Sequence, residues 1–397
     1  MESKIRFSSS NILYEEKTLS EISTINPKTN VPLEFEYVDL ESVSGTEMTN
    51  HRTEHKATAP SRAQRLAKKG DIFYQTVRPY QKNNYYFDMD DDNYVFSTGY
   101  AQIRPSIYGK YLFTLLQNDS FLKQVLDNCA GTSFPAINPS VLSRLSVRIC
   151  TDKQEQQAIA SYFTSLDSQI SASTSRLASL KQIKAASLQA MFPQEGETVP
   201  KIRFKGFEGE WTWLKLGDIS EQVKRKAPIN STAPVMMISA LNGFINQSEK
   251  YSDNNAGSSL ANYTLLKKGE LSYNHGYSKT RNFGSCFNLL VEEARIPFVY
   301  HSFRLTNDND SFYAYYLNSG TKDKDLKRLV SSTARMDGLL NISFKNYMEL
   351  SVPHPSLAEQ QAIANYFTSL DRQISLQSQR LEKLKQIKSA CLDKMFV

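Results

Sequence analysis

Cysteine is scarce, with four in 397 residues. Cys129, Cys150, Cys286 and Cys391 show neither paired nor metal-type spacing, so a disulfide framework and a cysteine metal cluster are excluded, and reduced thiols in a cytoplasmic protein are expected. No apolar run is long enough to cross a membrane, and the opening MESKIRF is charged and lacks the core of a signal peptide. A glycine-rich cofactor loop is missing. Gly206 and Gly209 in KGFEGE lie three apart, without a strand-to-helix frame around them. The Asn-Pro-Pro-aromatic tetrapeptide of amino-methyltransferases is absent as well; Asn138-Pro139-Ser140 comes nearest and reads as a turn. His51 and His55 are four apart and would share a helical face. No Glu or Cys nearby completes a metal site, so they read as two surface histidines. No nuclease-type cluster of carboxylates and lysine stands out. The chain is not expected to be an enzyme on its own, to bind a cofactor or to hold a metal.

What is present is a repeat. Glu155 to Phe192 reads EQQAIASYFTSLDSQISASTSRLASLKQIKAASLQAMF, and Glu359 to Phe396 reads EQQAIANYFTSLDRQISLQSQRLEKLKQIKSACLDKMF; aligned without gaps, about 26 of 38 positions are identical. Both copies carry an apolar seam at steps of three and four. The first is Ile159, Phe163, Leu166, Ile170, Leu177, Leu180 and Met191. The second is Ile363, Phe367, Leu370, Ile374, Leu381, Leu384 and Met395. Neither contains Gly or Pro, and Pro193 follows the first, so two helices of roughly 57 Å are expected. Two near-identical seams can cover each other, which predicts a coiled coil with polar positions at Ser173, Lys184, Gln377 and Lys388.

The repeat extends beyond the helices. KIRF occurs at Lys4–Phe7 and Lys201–Phe204, LSEIS at Leu19–Ser23 matches LGDIS at Leu216–Ser220, KKGD at Lys68–Asp71 echoes KKGE at Lys267–Glu270, and AINPSV at Ala136–Val141 sits where LLNISF falls at Leu339–Phe344. At this length more than one domain is expected. The division reads as globular residues 1–150, helix 151–192, linker 193–200, globular residues 201–352 and helix 353–397. Short aromatic and β-branched runs such as Tyr94–Ser97 and Pro297–Leu305 read as strands. Tyr111–Asn128 has helical spacing, with Tyr313–Leu317 into Lys322–Val330 as its counterpart. The class is therefore α+β: two mixed globular domains and two long helices, related by a pseudo-two-fold repeat.

Between the shared landmarks the two globular segments barely resemble each other, which suggests one frame with two specificities. Net charge is only +6, about zero over residues 1–150 and about +5 over 200–352, as fits contact with nucleic acid through chosen patches. The first patch is Arg52, Lys56, Arg62, Arg65, Lys68 and Lys69, leading into TVRPYQKNNYY with Arg78, Tyr80 and Lys82. The second is Lys224, Arg225 and Lys226, then YNHGYSKTRN with Asn274, Tyr277, Ser278, Lys279, Arg281 and Asn282. Lys and Arg position a protein on phosphates, while Arg on guanine and Asn on adenine read base edges. A basic loop can also be an ordinary solvated face. Both stretches follow the KKG(D/E) landmark, however, and that matched placement favours DNA.

At this point the whole chain resembles the DNA-specificity subunit of a type I restriction–modification enzyme. KKGDIFYQTVRPYQKN, GTSFPAINPSVLSRL and EQQAIASYF…LKQIKAASLQAMF carry the likeness in the first half. KIRFKGFEGEW…LGDIS, KKGELSYNHGYSKTRNFG and LLNISFKNYMELSVPHPSLAEQQAIANYF carry it in the second. The first half departs from the pattern in lacking the tryptophans found at Trp211 and Trp213. The resemblance implies two target-recognition domains, each reading one half of a split sequence in double-stranded DNA. It implies helices that pair antiparallel, separate those domains and dock two methyltransferase subunits, with translocating restriction subunits joining them. Methyl transfer from S-adenosylmethionine to adenine N6 would be the partner's chemistry. The alternatives are a coiled-coil assembly scaffold without base-specific binding and a methyltransferase-related fragment.

Overall fold

The computed structural model describes residues 7, 14–131, 133–228, 230–249, 260, 262–330 and 340–396. The first KIRF and the segment after it, except Phe7, lie outside them, as do Thr132 and Leu339. The chain divides into two units, residues 1–175 with 379–397, and residues 176–378.

In the first unit an antiparallel ribbon pairs Tyr14–Thr18 with Ser146–Cys150. It closes the globular part where the long helix begins, so the missing tryptophans do not prevent it. One antiparallel sheet runs in the order Ser23–Ile25, Tyr100–Pro105, Ile72–Gln75, Tyr85–Tyr86. A second sheet runs Arg52–His55, Glu34–Val38, Tyr94–Ser97, Ala63–Leu66, and its two central strands are parallel. His55 therefore ends an edge strand, with His51 just before that strand, and neither is on a helix. His51 Nδ1 is 2.8 Å from a Glu36 carboxylate oxygen. The stretch read as one helix over 111–128 is two, Gly109–Leu115 and Asp119–Asp127. Asn118 breaks it: its Oδ1 accepts from Ser120 N at 2.6 Å as an N-cap, and its amide donates to Leu392 O at 2.7 Å. Asn138 likewise caps a short helix, Pro139–Leu142, where a turn was expected.

The second unit repeats this plan. Thr212–Lys215 pairs with Ser351–His354, and the sheet order is Ser220–Gln222, His301–Leu305, Leu271–Asn274, Ser285–Asn288. Its other strands form two antiparallel pairs, Met236–Ser239 with Gly243–Asn246 and Thr264–Lys267 with Glu293–Ile296. The parallel contact between them is a single bridge, Val235 to Arg295. The topology is thus the same in both domains, with the second parallel ladder reduced to one bridge. Helices Asp310–Leu317 and Asp323–Leu329 stand where expected.

The long helices run Lys153–Ala190 and Leu357–Met395. In the first unit Tyr162 meets Cys391 and Asp167 pairs with Lys388. In the second, Ser187 meets Tyr366 and Lys184 pairs with Asp371. Numbers rise on one helix as they fall on the other, so the pairing is antiparallel. Ile159, Phe163, Leu166, Leu180, Ile363, Phe367, Leu370 and Leu381 are buried, while Ile170, Leu177, Ile374 and Leu384 are half-buried. Lys184 and Lys388 sit in the seam because each reaches an aspartate on the facing helix.

The identical EQQ at both helix starts has a physical reason that composition hides. Glu359 is buried and accepts two hydrogen bonds of 2.7 Å from Arg203 of the second KIRF, plus one of 3.1 Å from Trp211 Nε1. Buried Gln360 accepts from Asn309 N at 2.9 Å and donates to Asp308 at 2.7 Å. In the first unit Glu155 accepts from Phe7 N at 3.0 Å, and Gln156 donates to Cys150 O at 2.7 Å. These side chains moor Phe7 and the strand end at Cys150 to the first long helix, and the second KIRF, Trp211 and the Asp308–Asn309 loop to the second.

Candidate nucleic-acid interface

The KKG(D/E) landmark is a turn closed by its own acid. Lys68 N donates to Asp71 Oδ2 at 2.9 Å, and Lys267 N donates to Glu270 Oε2 at 2.7 Å. Gly70 and Gly269 supply the positive φ, 94° and 82°. Both acids are buried and paired. Arg104 donates to Asp71 at 2.8 and 2.7 Å, and Arg225 to Glu270 at 3.2 and 3.1 Å. A buried strand follows each turn, and each candidate loop hangs from the amide that ends the strand, Gln75 or Asn274.

In the first domain Gln75 organises the loop from inside. Its N–H donates to buried Asn84 Oδ1 at 2.8 Å, its Oε1 accepts from Asn83 N at 3.2 Å, and its amide donates to Val77 O at 2.7 Å and Gln81 Oε1 at 2.8 Å. Arg78 and Lys82, both with φ of 54°, flank the short helical turn Pro79–Gln81. Non-glycine residues rarely adopt this region, and it is held here by the surrounding bonds. Tyr80 at the tip is exposed, the Arg78 guanidinium lies over the Phe134 ring at 4.5 Å, and Lys82 reaches the Asp119 carboxylate.

In the second domain Asn274 Oδ1 accepts from Gly276 N at 3.0 Å, and its amide donates to Ile238 O at 3.2 Å. Ser278 and Arg281 exchange backbone hydrogen bonds of 3.1 and 3.2 Å. This tight turn leaves Lys279, Tyr277 and Asn282 exposed. Arg281 is half-buried, and that burial pulls its guanidinium below the usual arginine range against the pull of Asp323. Gly284, at φ 81°, is required: a Cβ there would lie 2.4 Å from Asn274 O.

Not every cation of the sequence patches is free to meet phosphate. Arg52 is paired with Asp39 and Glu54 at 2.7 and 2.8 Å, Lys69 with Asp90 at 2.6 Å, Lys82 with Asp119 and Arg225 with Glu270. Arg65 is half-buried, and that burial lowers its basicity. Lys56, Arg62, Lys68, Lys224 and Lys226 are exposed. The two loop tips present the same residue types in swapped positions: Arg78-Pro79-Tyr80 in one domain, Tyr277-Ser278-Lys279 in the other. Phe134, exposed beside Arg78, was not singled out from the sequence; an aromatic residue in the small-residue run AGTSFPA was the available signal.

The chain belongs to the family of type I restriction–modification DNA specificity subunits, whose family model matches it twice, over residues 11–182 and 208–386. It carries two such DNA specificity domains. Over 139 residues it is 35% identical to the specificity subunit of the type I restriction enzyme HindI from Haemophilus influenzae, a match that covers 34% of this chain and 30% of that protein. The chain thus spans about a third of the length of that curated relative. The S subunit of a type I restriction–modification system from M. genitalium is similar in fold, with a TM-score of 0.63 at 16% identity, covering 100% of this chain and 99% of the other. A chain from a structure on the assembly and conformational transition of a type I R-M system gives 0.54 at 19% identity, over 96% and 97% of the two chains.

Proposed function

We propose that each globular domain, residues 1–150 and 201–352, reads one half of a bipartite sequence in double-stranded DNA. The spacer helices 151–192 and 353–397, joined by the linker 193–200, meter the gap between half-sites and dock two methyltransferase subunits. Restriction and translocase subunits join that assembly. S-adenosylmethionine binds to the partner, which transfers the methyl group to adenine N6, and the complex works in the cytoplasm. The observation that carries this reading is the pair of loop tips. One strand-and-turn frame, pinned by Gln75 in one domain and Asn274 in the other, presents arginine then tyrosine at the first tip and tyrosine then lysine at the second. A scaffold without base readout has no use for a repeated frame with exchanged contact residues.

The test is methylation sequencing of DNA from cells that carry this chain with its methyltransferase partner. One split adenine-methylated motif is expected, with one half altered by changes at Arg78 and the other by changes at Lys279. Purified chain alone should move no label from S-adenosylmethionine to DNA. Absence of any motif that depends on this chain, or label transferred without a partner, overturns the reading.

A further inference from the structure

Phe134 leaves 62% of its surface open to solvent, yet its neighbourhood is tightly fixed. Arg78 N donates to Pro135 O at 2.8 Å, Ile137 N donates to Thr76 O at 3.0 Å, and Val77 bridges Ala136. Gly131, at φ 88°, closes the loop on the far side, where a Cβ would stand 3.2 Å from Phe134 O. The segment that carries the ring is thus laced to the loop that carries Arg78, and the left-handed backbone at Arg78 keeps its side chain on that ring.

Arg52, Arg104, Arg203, Arg225 and Arg304 each pair with a carboxylate. Among the described residues Arg78 has no carboxylate partner. Its support is the apolar face of Phe134, with the guanidinium carbon 4.5 Å from the ring centroid. A ring orients a guanidinium without neutralising it and leaves its N–H donors available. Bidentate donation from arginine to O6 and N7 singles out guanine in the major groove, and an aromatic edge beside it contacts the thymine methyl. An exposed ring that holds an unneutralised arginine is therefore a reader built before DNA arrives.

We propose that Phe134 is a positioning and specificity-determining residue, whose ring presents Arg78 to a guanine in the half-site of the first domain and itself covers the methyl group of a neighbouring thymine. This rests on the reading of that loop as a DNA contact.

The test uses the full chain with its methyltransferase partner and a randomised double-stranded DNA library, with the enriched motif read for wild type, Arg78→Ala, Phe134→Ala and Phe134→Tyr. Arg78→Ala and Phe134→Ala should both lose preference for the same guanine by roughly ten-fold, and Phe134→Ala should also lose the adjoining thymine. Phe134→Tyr should keep both positions, and the other half-site should stay as in wild type throughout. The melting temperature of Phe134→Ala should match wild type, because the side chain is exposed. A Phe134→Ala motif identical to wild type, or an equal loss of affinity for all sequences, overturns the proposal while leaving the function intact. Absence of any motif with the wild-type chain overturns both.

Discussion

The Arg203 guanidinium meets the buried Glu359 carboxylate through two hydrogen bonds of 2.7 Å. Removing one partner of such a pair leaves a charge without solvent or counter-ion, and that loss exceeds what an exposed pair contributes. Arg203→Ala is expected to destabilise the second unit by about 3 kcal/mol. Thermal denaturation followed by circular dichroism measures it. A change within about 0.5 kcal/mol, the usual range for surface substitutions, would show that the second KIRF is not moored there.

The seam pair of Asp167 and Lys388 is partly exposed, with side chains 36% and 20% accessible. Lys388→Asp places two like charges on facing helices and should lower stability by about 1 kcal/mol. The double variant Asp167→Lys with Lys388→Asp should recover most of it, because the antiparallel register brings the exchanged charges together again. Chemical denaturation of the three variants decides it, and a double variant no better than the single one argues against direct pairing.

The loop tips should behave as two independent readers. Arg78→Ala should alter preference at particular base pairs of one half-site and Lys279→Ala at base pairs of the other, each by about 1–3 kcal/mol, whereas a uniform loss with a flatter salt dependence would mark a phosphate contact. Lys82 is held by Asp119, so Lys82→Ala should act chiefly through the loop's shape. Binding titrations at several salt concentrations against single-base variants of the target separate these outcomes. Identical base-by-base losses for Arg78→Ala and Lys279→Ala would defeat the assignment of one half-site per domain.

Burial pushes the Cys286 thiol up to about 12. The unfolded chain ionises this thiol near the ordinary value of about 8.5, so between roughly pH 8.5 and 12 only the unfolded state releases the proton. Stability should therefore fall as pH rises through that window, and Cys286→Ala should soften the fall. Iodoacetamide at pH 8 should leave Cys286 unmodified in the native protein and alkylate it in denaturant, as peptide mass spectrometry would show. Native labelling at a rate close to that in denaturant would contradict the burial.

The long helices, the duplicated frame and the placement of both loops were legible because they rest on periodicity and on repeated short strings. The break at Asn118 was not, since Leu112, Leu115, Leu122 and Val125 keep helical spacing across it and only a side-chain cap interrupts the backbone. The parallel pairing of Tyr94–Ser97 with Glu34–Val38 joins strands more than fifty residues apart, and no local pattern announces it. Charge counting identified Arg52, Lys69, Lys82 and Arg225 as cations but could not see which carboxylates the fold sets against them, such as Asp119 at the start of helix Asp119–Asp127 against Lys82. Nothing in the sequence marks Glu155 and Glu359 as buried; Phe7 over the first, and Arg203 and Trp211 over the second, account for it.

Asn118 holds Leu392, and Leu392, Met395 and Phe396 share a core with Ile159 and Phe163. The first unit therefore takes residues 379–397 as part of its own interior. A ribosome adding about 5–20 residues per second needs on the order of ten seconds or more to make the intervening stretch. Throughout that time the apolar flank of the first long helix waits for its cover. A premature stop near the end of the message would thus injure the half of the protein made first.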